Sequence, residues 1–345
     1  MVVLYLILSL LFLSAPRALA AEPVKQVRMI TRALGDSIVI YEIGEKLGFY
    51  AEEGFKLEVI LAKVSTGTQA VLGDSADYVN HGSIIPAILR GVPMRVLLVD
   101  TDKPTAYIVT SPSISTFKDL IGKTIAIEDF NGANALMVRD TLLANGIPLN
   151  SVTLRVLGPP PFRLQGLLSG AVDAAPLNFL QSRQAQQQGF RVLAYTGDFT
   201  SDIQVTAATA TKKIQTSPNE VYRFIKATLK AQLFFLENPN DEAFKFYADV
   251  NKLRDPIQGR DVYNARLKRS SELVRIGRVS DDTVVQTIER VREQLKLAGT
   301  PLKTERPIGI DELVDFSFAK RAYEEIKAEG WDKKKYLYRH GKTKP

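Results

Sequence analysis

The chain has no cysteine, and that absence removes several chemistries at once. There is no disulfide framework, no thiolate metal ligand, no thiol nucleophile and no N-terminal cysteine to carry a lipid. Histidine is scarce as well. Only His81 and His340 occur, which excludes a multi-histidine metal centre. Beyond Leu13 no stretch is apolar enough to cross a bilayer. No nucleophile elbow, HExxH pair or phosphate loop is found. The carboxylate pairs Glu52-Glu53 and Glu324-Glu325 read as solvated helix exteriors, not as acid–base machinery. No metal, cofactor or catalytic residue is expected.

What is present is an ordinary soluble composition in a long chain. There are 345 residues, 45% apolar and 24% charged, enough for two domains. The net charge of +7 is fed by a basic tail beyond Trp331, the usual form of a solvated end. No basic patch is interleaved with aromatics, so no nucleic-acid partner is expected. Val2–Leu13 is an apolar run too short to span comfortably, and Ala18-Leu19-Ala20 gives a small-x-small cleavage pattern. Residues 1–21 therefore read as a cleaved signal peptide, although the segment lacks a basic start and an uncleaved anchor is the alternative. The mature chain is expected to be periplasmic, with no lipid anchor.

The most informative stretch is Ser65–Pro86, STGTQAVLGDSADYVNHGSIIP. Ser65, Thr66 and Thr68 are short hydroxyl residues of the kind that cap helix starts. Tyr78–Val79 is a short strand of β-formers, His81-Gly82-Ser83 a sharp turn, and Ile84–Leu89 a second helix. Two helix N-termini then lie on one side of a strand, where N–H groups and the positive dipole end make a cradle for a small polar or anionic ligand.

Around this cradle, strands and helices alternate with short loops. Strands are expected at Val27–Ile30, Phe55–Leu61, Met94–Val99, Ala106–Thr110, about Thr124–Ile127, Val152–Val156, Val172–Ala175, Arg191–Tyr195 and Ile203–Ala208. Helices are expected at Ile38–Leu47, Ala135–Ala144, Phe162–Leu168 and Asn178–Gln188. That alternation argues for parallel, doubly wound sheets. Leu72-Gly73-Asp74-Ser75-Ala76-Asp77 and Leu168-Ser169-Gly170-Ala171-Val172-Asp173 share a leucine, a small turn and an Asp at equal spacing, a trace of one plan used twice. From Ser217 the chain turns helical, with helices expected to about Glu237 and then at Asp241–Val250, Gln258–Leu273, Ser280–Leu297 and Asp311–Ala328.

These segments resemble a known family. Val27–Leu47 followed by Gly48-Phe49-Tyr50-Ala51-Glu52-Glu53-Gly54, the cradle, and Asp119-Leu120-Ile121-Gly122-Lys123-Thr124-Ile125-Ala126 together resemble the nitrate/sulfonate/taurine branch of ABC-transporter substrate-binding proteins. That branch includes relatives of the fungal thiamine-pyrimidine-synthesis proteins. The resemblance covers Val27 to Ala208 and implies a two-lobed type II periplasmic binding fold. Each lobe would be a doubly wound mixed α/β sheet, with a helical C-terminal extension. Residues 22–107 and 206–345 would form lobe one and 108–205 lobe two, with crossings near Tyr107–Thr110 and Ile203–Ala208. The function implied is an extracytoplasmic solute-binding component of an ABC importer, monomeric, not an enzyme, working with a permease in the inner membrane. A thiamine-pyrimidine-synthesis-like enzyme and a solute-binding partner of a membrane sensor are the alternatives.

The ligand-binding candidates follow from the cradle and the resemblance. In lobe one they are Asp36 and Ser37 in the first loop, Ser65, Thr66, Gly67 and Thr68 in the second, and His81, Gly82 and Ser83 in the third. In lobe two they are Phe130, Asn131, Gly132, Ala133 and Asn134, where the family often has a Gly-Ser or Ser-Ser anion cradle, and Asn178. The amides at 131 and 134 depart from that pattern and also suit a neutral, planar or hydroxylated solute. Arg32 and Lys63 are the nearest cations, and Tyr107 is a possible stacking residue.

Overall fold

The structure is a computed structural model that describes residues 24–31, 36–104, 106–130, 133–201, 203–237, 244, 248–249, 260–261, 263–264, 271–297, 299–302 and 308–332. The expected signal peptide, the loop at 32–35, the basic tail and most of the expected helices at Asp241–Val250 and Gln258–Leu273 lie outside the described residues.

In order, the elements are β1 Lys25–Thr31, α1 Asp36–Lys46, α2 Phe49–Glu52, β2 Phe55–Leu61, α3 Val64–Leu72, β3 Tyr78–Val79, α4 Ile84–Leu89 and β4 Met94–Thr101. There follow β5 Tyr107–Thr110, β6 Thr124–Ile127, α5 Ala133–Ala144, β7 Thr153–Val156, α6 Pro160–Leu168, β8 Ala174–Leu177, α7 Phe179–Gln186, β9 Arg191–Tyr195 and β10 Gln204–Ala210. The helical part comprises α8 Thr211–Thr216, α9 Pro218–Glu237, α10 Glu272–Arg275, α11 Asp281–Leu297, α12 Ile310–Leu313 and α13 Ser317–Ala328.

The strands form two five-stranded sheets, β2-β1-β3-β10-β4 and β7-β6-β8-β5-β9. Both are mixed, not parallel. β1 runs parallel to β2 and β3, while β10 opposes β3 and β4. In the second sheet β6 runs parallel to β7 and β8, while β5 opposes β8 and β9. The reversed strands are those that carry the chain between sheets, so the wound halves keep the expected parallel order and the crossings alone break it. Apolar clusters cover both faces of each sheet, as a doubly wound arrangement requires. The first sheet packs α1, α2, α9 and α13 on one face and α4 with α11 on the other.

The trace of a repeat is a structural fact. Asp77 takes the backbone N–H of Arg28 on its carboxylate at 2.7 Å and donates its own N–H to the Arg28 carbonyl at 2.9 Å. Asp173 does the same to Thr124, at 2.8 and 2.9 Å. Each aspartate locks the start of one strand to the parallel strand beside it, β3 to β1 and β8 to β6, and thereby fixes where the next loop emerges.

Glu52 and Glu325 do keep solvent, as expected, while Glu53 is largely covered, and all three also pair with lysines of α9. Lys226, 6% exposed on α9, reaches Glu53 at 3.5 Å, Glu325 at 2.5 Å and Glu329 at 2.6 Å. Lys230 reaches Glu52 at 3.2 Å. Burial works against the Lys226 charge, but the bonds to Glu325 and Glu329 outweigh it and hold the ammonium above its ordinary range. These carboxylates pin α2 and α13 onto α9. The expected long helix Asp311–Ala328 is split at Val314, which bridges to Val96 of β4, while Asp315 N–H bonds the Val96 carbonyl at 2.9 Å. A sheet contact there outcompetes helix continuity.

Candidate functional site

Strand directions decide where the loops meet. β1, β2, β3 and β4 all end on one edge of the first sheet, and β6, β7, β8 and β9 all end on one edge of the second. The chain leaves the first sheet at Thr101, the carboxyl end of β4. It enters the second at Tyr107, where the opposed strand β5 starts beside the carboxyl end of β8. It leaves again at Tyr195, the carboxyl end of β9, and returns at Gln204, which pairs with Thr101. Both links therefore join the carboxyl edges. They are also tied to each other: Thr196 N–H and Oγ1 both donate to the Ala106 carbonyl, at 3.0 and 2.7 Å, and the Tyr195 hydroxyl donates to the Pro104 carbonyl at 2.7 Å. In wound α/β sheets the ligand crevice lies outside these strand ends.

On the first edge, Asp36 and Ser37 open α1, and their side chains lie outside the described residues, as does Arg32. The hydroxyls at 65, 66 and 68 do not cap α3. The helix begins at Val64 with Lys63 as N-cap and no side-chain cap bond. The first backbone bond is Gly67 N–H to the Lys63 carbonyl, so Ser65 and Thr66 N–H groups sit in the turn that has no intrahelical acceptor. Ser65 and Thr66 are exposed there, while Thr68 is buried. Gly67 is buried against the sheet: a Cβ would stand 2.7 Å from Ile30 Cγ2. Its smallness is required by the approach of α3 to β1 and β3. His81 is buried, at 4% exposure, and Gly82 and Ser83 are half-buried at the mouth of α4.

On the second edge, Phe130 is 51% exposed. Asn131 and Gly132 lie outside the described residues, and Ala133 is the first residue of α5. Asn134 is buried, and its side-chain oxygen accepts the Glu128 N–H at 3.2 Å, tying the start of α5 to the end of β6. Asn178 is the N-cap of α7, its side-chain oxygen accepting Gln181 N–H at 2.9 Å. Tyr107 lies between Tyr195 and Phe179, with centroids 5.1 and 5.9 Å away, beside the hinge links.

Two residues of this edge escaped the sequence reading. Arg163 on α6 is 3% exposed and faces two loops and a strand at once. It donates to the Gly158 carbonyl at 2.8 Å and the Pro176 carbonyl at 3.0 Å, and stands 3.6 Å from the Glu128 carboxylate. Gly158 and Glu128 follow β7 and β6, and Pro176 lies within β8, next to its end. Phe162, its neighbour, is 63% exposed in the first turn of α6. The signal that points to both is the repeat: α3 and α6 are nine residues long and each ends at its matched leucine, which puts Phe162 in the place of Thr66 and Arg163 in the place of Gly67. Among the described residues, no group of His, Asp and Glu side chains is placed to hold a metal ion. No described helix is long and apolar enough to cross a membrane.

A family model described as NMT1/THI5 like matches residues 36–242. The chain belongs to the NMT1/THI5-like family. No curated protein matches it by sequence. Among solved structures, the periplasmic nitrate-binding protein NrtA from Synechocystis PCC 6803 is 16% identical, with a TM-score of 0.69 over 89% of this chain and 91% of that one. A putative periplasmic sulfonate-binding protein SsuA from Methylobacillus flagellatus KT is 17% identical, with a TM-score of 0.67 over 90% and 97%. The desulfurization enzyme DszB is 15% identical, with a TM-score of 0.60 over 87% and 99%. The fold is thus that of the two-lobed periplasmic binding proteins, as the sequence resemblance implied. The same frame also carries an enzyme.

Proposed function

We propose that this chain is the extracytoplasmic solute-binding component of an ABC-type importer, which captures a small polar or anionic organic solute between two lobes by hinge closure. Residues 22–107 with 206–345 make lobe one and 108–205 lobe two. Residues 1–21 direct export and are removed, and the mature monomer delivers its solute to a permease of the inner membrane.

The observation that carries this reading is the joining of the two carboxyl edges by two bonded links, with helix starts lining both. Solute contacts are assigned to Asp36, Ser37, Ser65, Thr66, Gly67, Thr68, His81, Gly82 and Ser83 from one lobe. From the other they are Phe130, Asn131, Gly132, Ala133, Asn134 and Asn178. The donor chemistry supports an acceptor ligand. Asn134 and Asn178 use their side-chain oxygens internally, which leaves N–H2 donors, and the first turn of α3 offers backbone N–H groups. A sulfonate, carboxylate or ring carbonyl answers such a set. The test is a thermal-shift screen of the mature protein against nitrate, taurine, alkane- and arylsulfonates, carboxylates and pyrimidines, with isothermal titration of each hit. Saturable binding without turnover is expected, and indifference to every class sinks the reading.

DszB supplies a second, enzymatic reading. One of the DszB structures similar to this chain carries a cysteine-to-serine replacement, and this chain has no cysteine at any position. Chemical change of a bound solute, followed by mass spectrometry, separates the two.

A further inference from the structure

Helix α5 faces two ways. Ala135, Val138 and Leu142 pack into the core of the second sheet. Leu136 packs instead into the cluster of the first sheet, with α4 and with Val284, Ile288, Val291 and Leu295 of α11. Asp140, four residues on and so on the same helix face as Leu136, continues that contact in polar form. Its Oδ2 is 3.0 Å from Arg290 Nη1 on α11 and accepts the Thr200 hydroxyl at 3.0 Å, and its Oδ1 accepts Gln294 Nε2 at 3.4 Å. Arg290 also bonds the Thr200 hydroxyl, which lies on the returning link between the sheets. Only 12% of the Asp140 side chain and 20% of the Arg290 side chain is exposed. This is no solvated surface pair, and burial raises the Asp140 carboxyl above its ordinary value in spite of Arg290.

We infer that Asp140, Arg290, Thr200 and Gln294 form a clasp that holds the lobes in the closed arrangement and sets how tightly the closed site retains its solute. The inference rests on the reading of the chain as a closing, solute-binding protein and adds its control element. The N-terminus of α5 carries Ala133 and Asn134 at the solute, while its flank carries the clasp. Solute and clasp therefore act on one rigid helix and favour the same state. A bond made only in that state shifts the population toward it by its own differential strength. Breaking the clasp then opens the empty protein and speeds solute release, while the cradle itself is untouched.

The test needs no solute for its first arm. Small-angle scattering of the empty mature protein is compared among wild type, D140N, R290M and the D140N/R290M double variant, with R290K as a milder form should R290M not fold. Expected is a larger radius of gyration for each single variant and no further increase in the double, because either change removes the same clasp. Equal radii in all four, or a double variant opened by the sum of the singles, overturns the inference. In the second arm a solute found by the thermal-shift screen is released about tenfold faster from D140N. An unchanged release rate also overturns it. If wild type binds nothing, the solute-capture reading fails by itself, and the scattering arm still decides whether the clasp holds the halves together.

Discussion

In the first half of the molecule the fourth residue of α3 is Gly67, pressed against Ile30 and Val79; in the second half the fourth residue of α6 is Arg163, threaded among the ends of β6, β7 and β8. The frame around them is the same. Asp77 and Asp173 make the same pair of bonds to β1 and β6, the parallel neighbours of the strands they precede. The first sheet is backed by the long helix α9, by α13 and by a lysine–glutamate network around the buried Lys226, so α3 can dock by close contact alone. The second has strands of four or five residues, and its longest described helix, α5, has 12 residues against 20 in α9. There, polar clamping by one buried guanidinium replaces bulk. One plan thus yields a heavy half whose loop edge is set by packing and a light half whose loop edge is set by hydrogen bonds.

The largest break in that comparison is R163M. It leaves the Gly158 and Pro176 carbonyls and Glu128 without their shared donor, and about 2–4 kcal/mol of stability is lost. R163K, which keeps the charge but not the fork, recovers part of it. Chemical denaturation measures both, and hydrogen exchange places the loosening in the loops after β6, β7 and β8. D77A and D173A come next, each losing about 1–3 kcal/mol by orphaning a backbone N–H. D77A is the more costly because Asp77 also holds Lys213 at 2.7 Å, and the difference between the two melting curves isolates that bond. G67A follows at about 1–3 kcal/mol, since the new methyl must displace Ile30 on a buried strand. Chemical denaturation reads that loss; a cost-free G67A would remove the packing account of α3.

Acid gives the smallest effect and acts on the heavy half. Hydrogen bonds from Lys226 and Tyr222 hold the Glu325 carboxyl below its ordinary value of 4.5. At Glu220, burial pushes upward but bonds from Lys213 and Lys25 outweigh it, with the same net direction. A carboxylate depressed in the folded state stabilises fully above its unfolded value and loses that contribution as pH falls through its folded value. Between about pH 5 and about pH 3, the amides of α13 should therefore lose protection relative to their intrinsic exchange rates, by about 0.5 kcal/mol for the exposed Glu325 pair after screening. Equal protection of α13 at both pH values would remove the glutamates from the account.

Local chemistry made much of this legible in the sequence. Phe55–Leu61, Tyr78–Val79, Ile84–Leu89 and Arg191–Tyr195 have the expected bounds, because alternation and Gly or Ser turns mark their ends. The misses have tertiary causes. The strand expected at Val172–Ala175 runs instead over Ala174–Leu177 and includes Pro176. β8 pairs with β6 only at Ala174, so by Pro176 one side of the strand has no ladder to break. The polar TKKIQT of α8 has no apolar period to betray it. The α3 hydroxyls look like caps in sequence but lie one to four residues inside the helix. Arg163 was invisible because a lone arginine on a short helix reads as a solvated charge; only the repeat, followed from Leu72–Asp77 to Leu168–Asp173, marks its position as inward.

The central claim is that the two carboxyl edges close on a small solute. Small-angle scattering of the mature protein, with and without a saturating concentration of the best thermal-shift hit, tests it most directly. The account predicts a smaller radius of gyration in the presence of the solute, together with a higher melting temperature. A solute that raises the melting temperature while the radius stays unchanged contradicts closure, and places that solute outside the gap between the sheets.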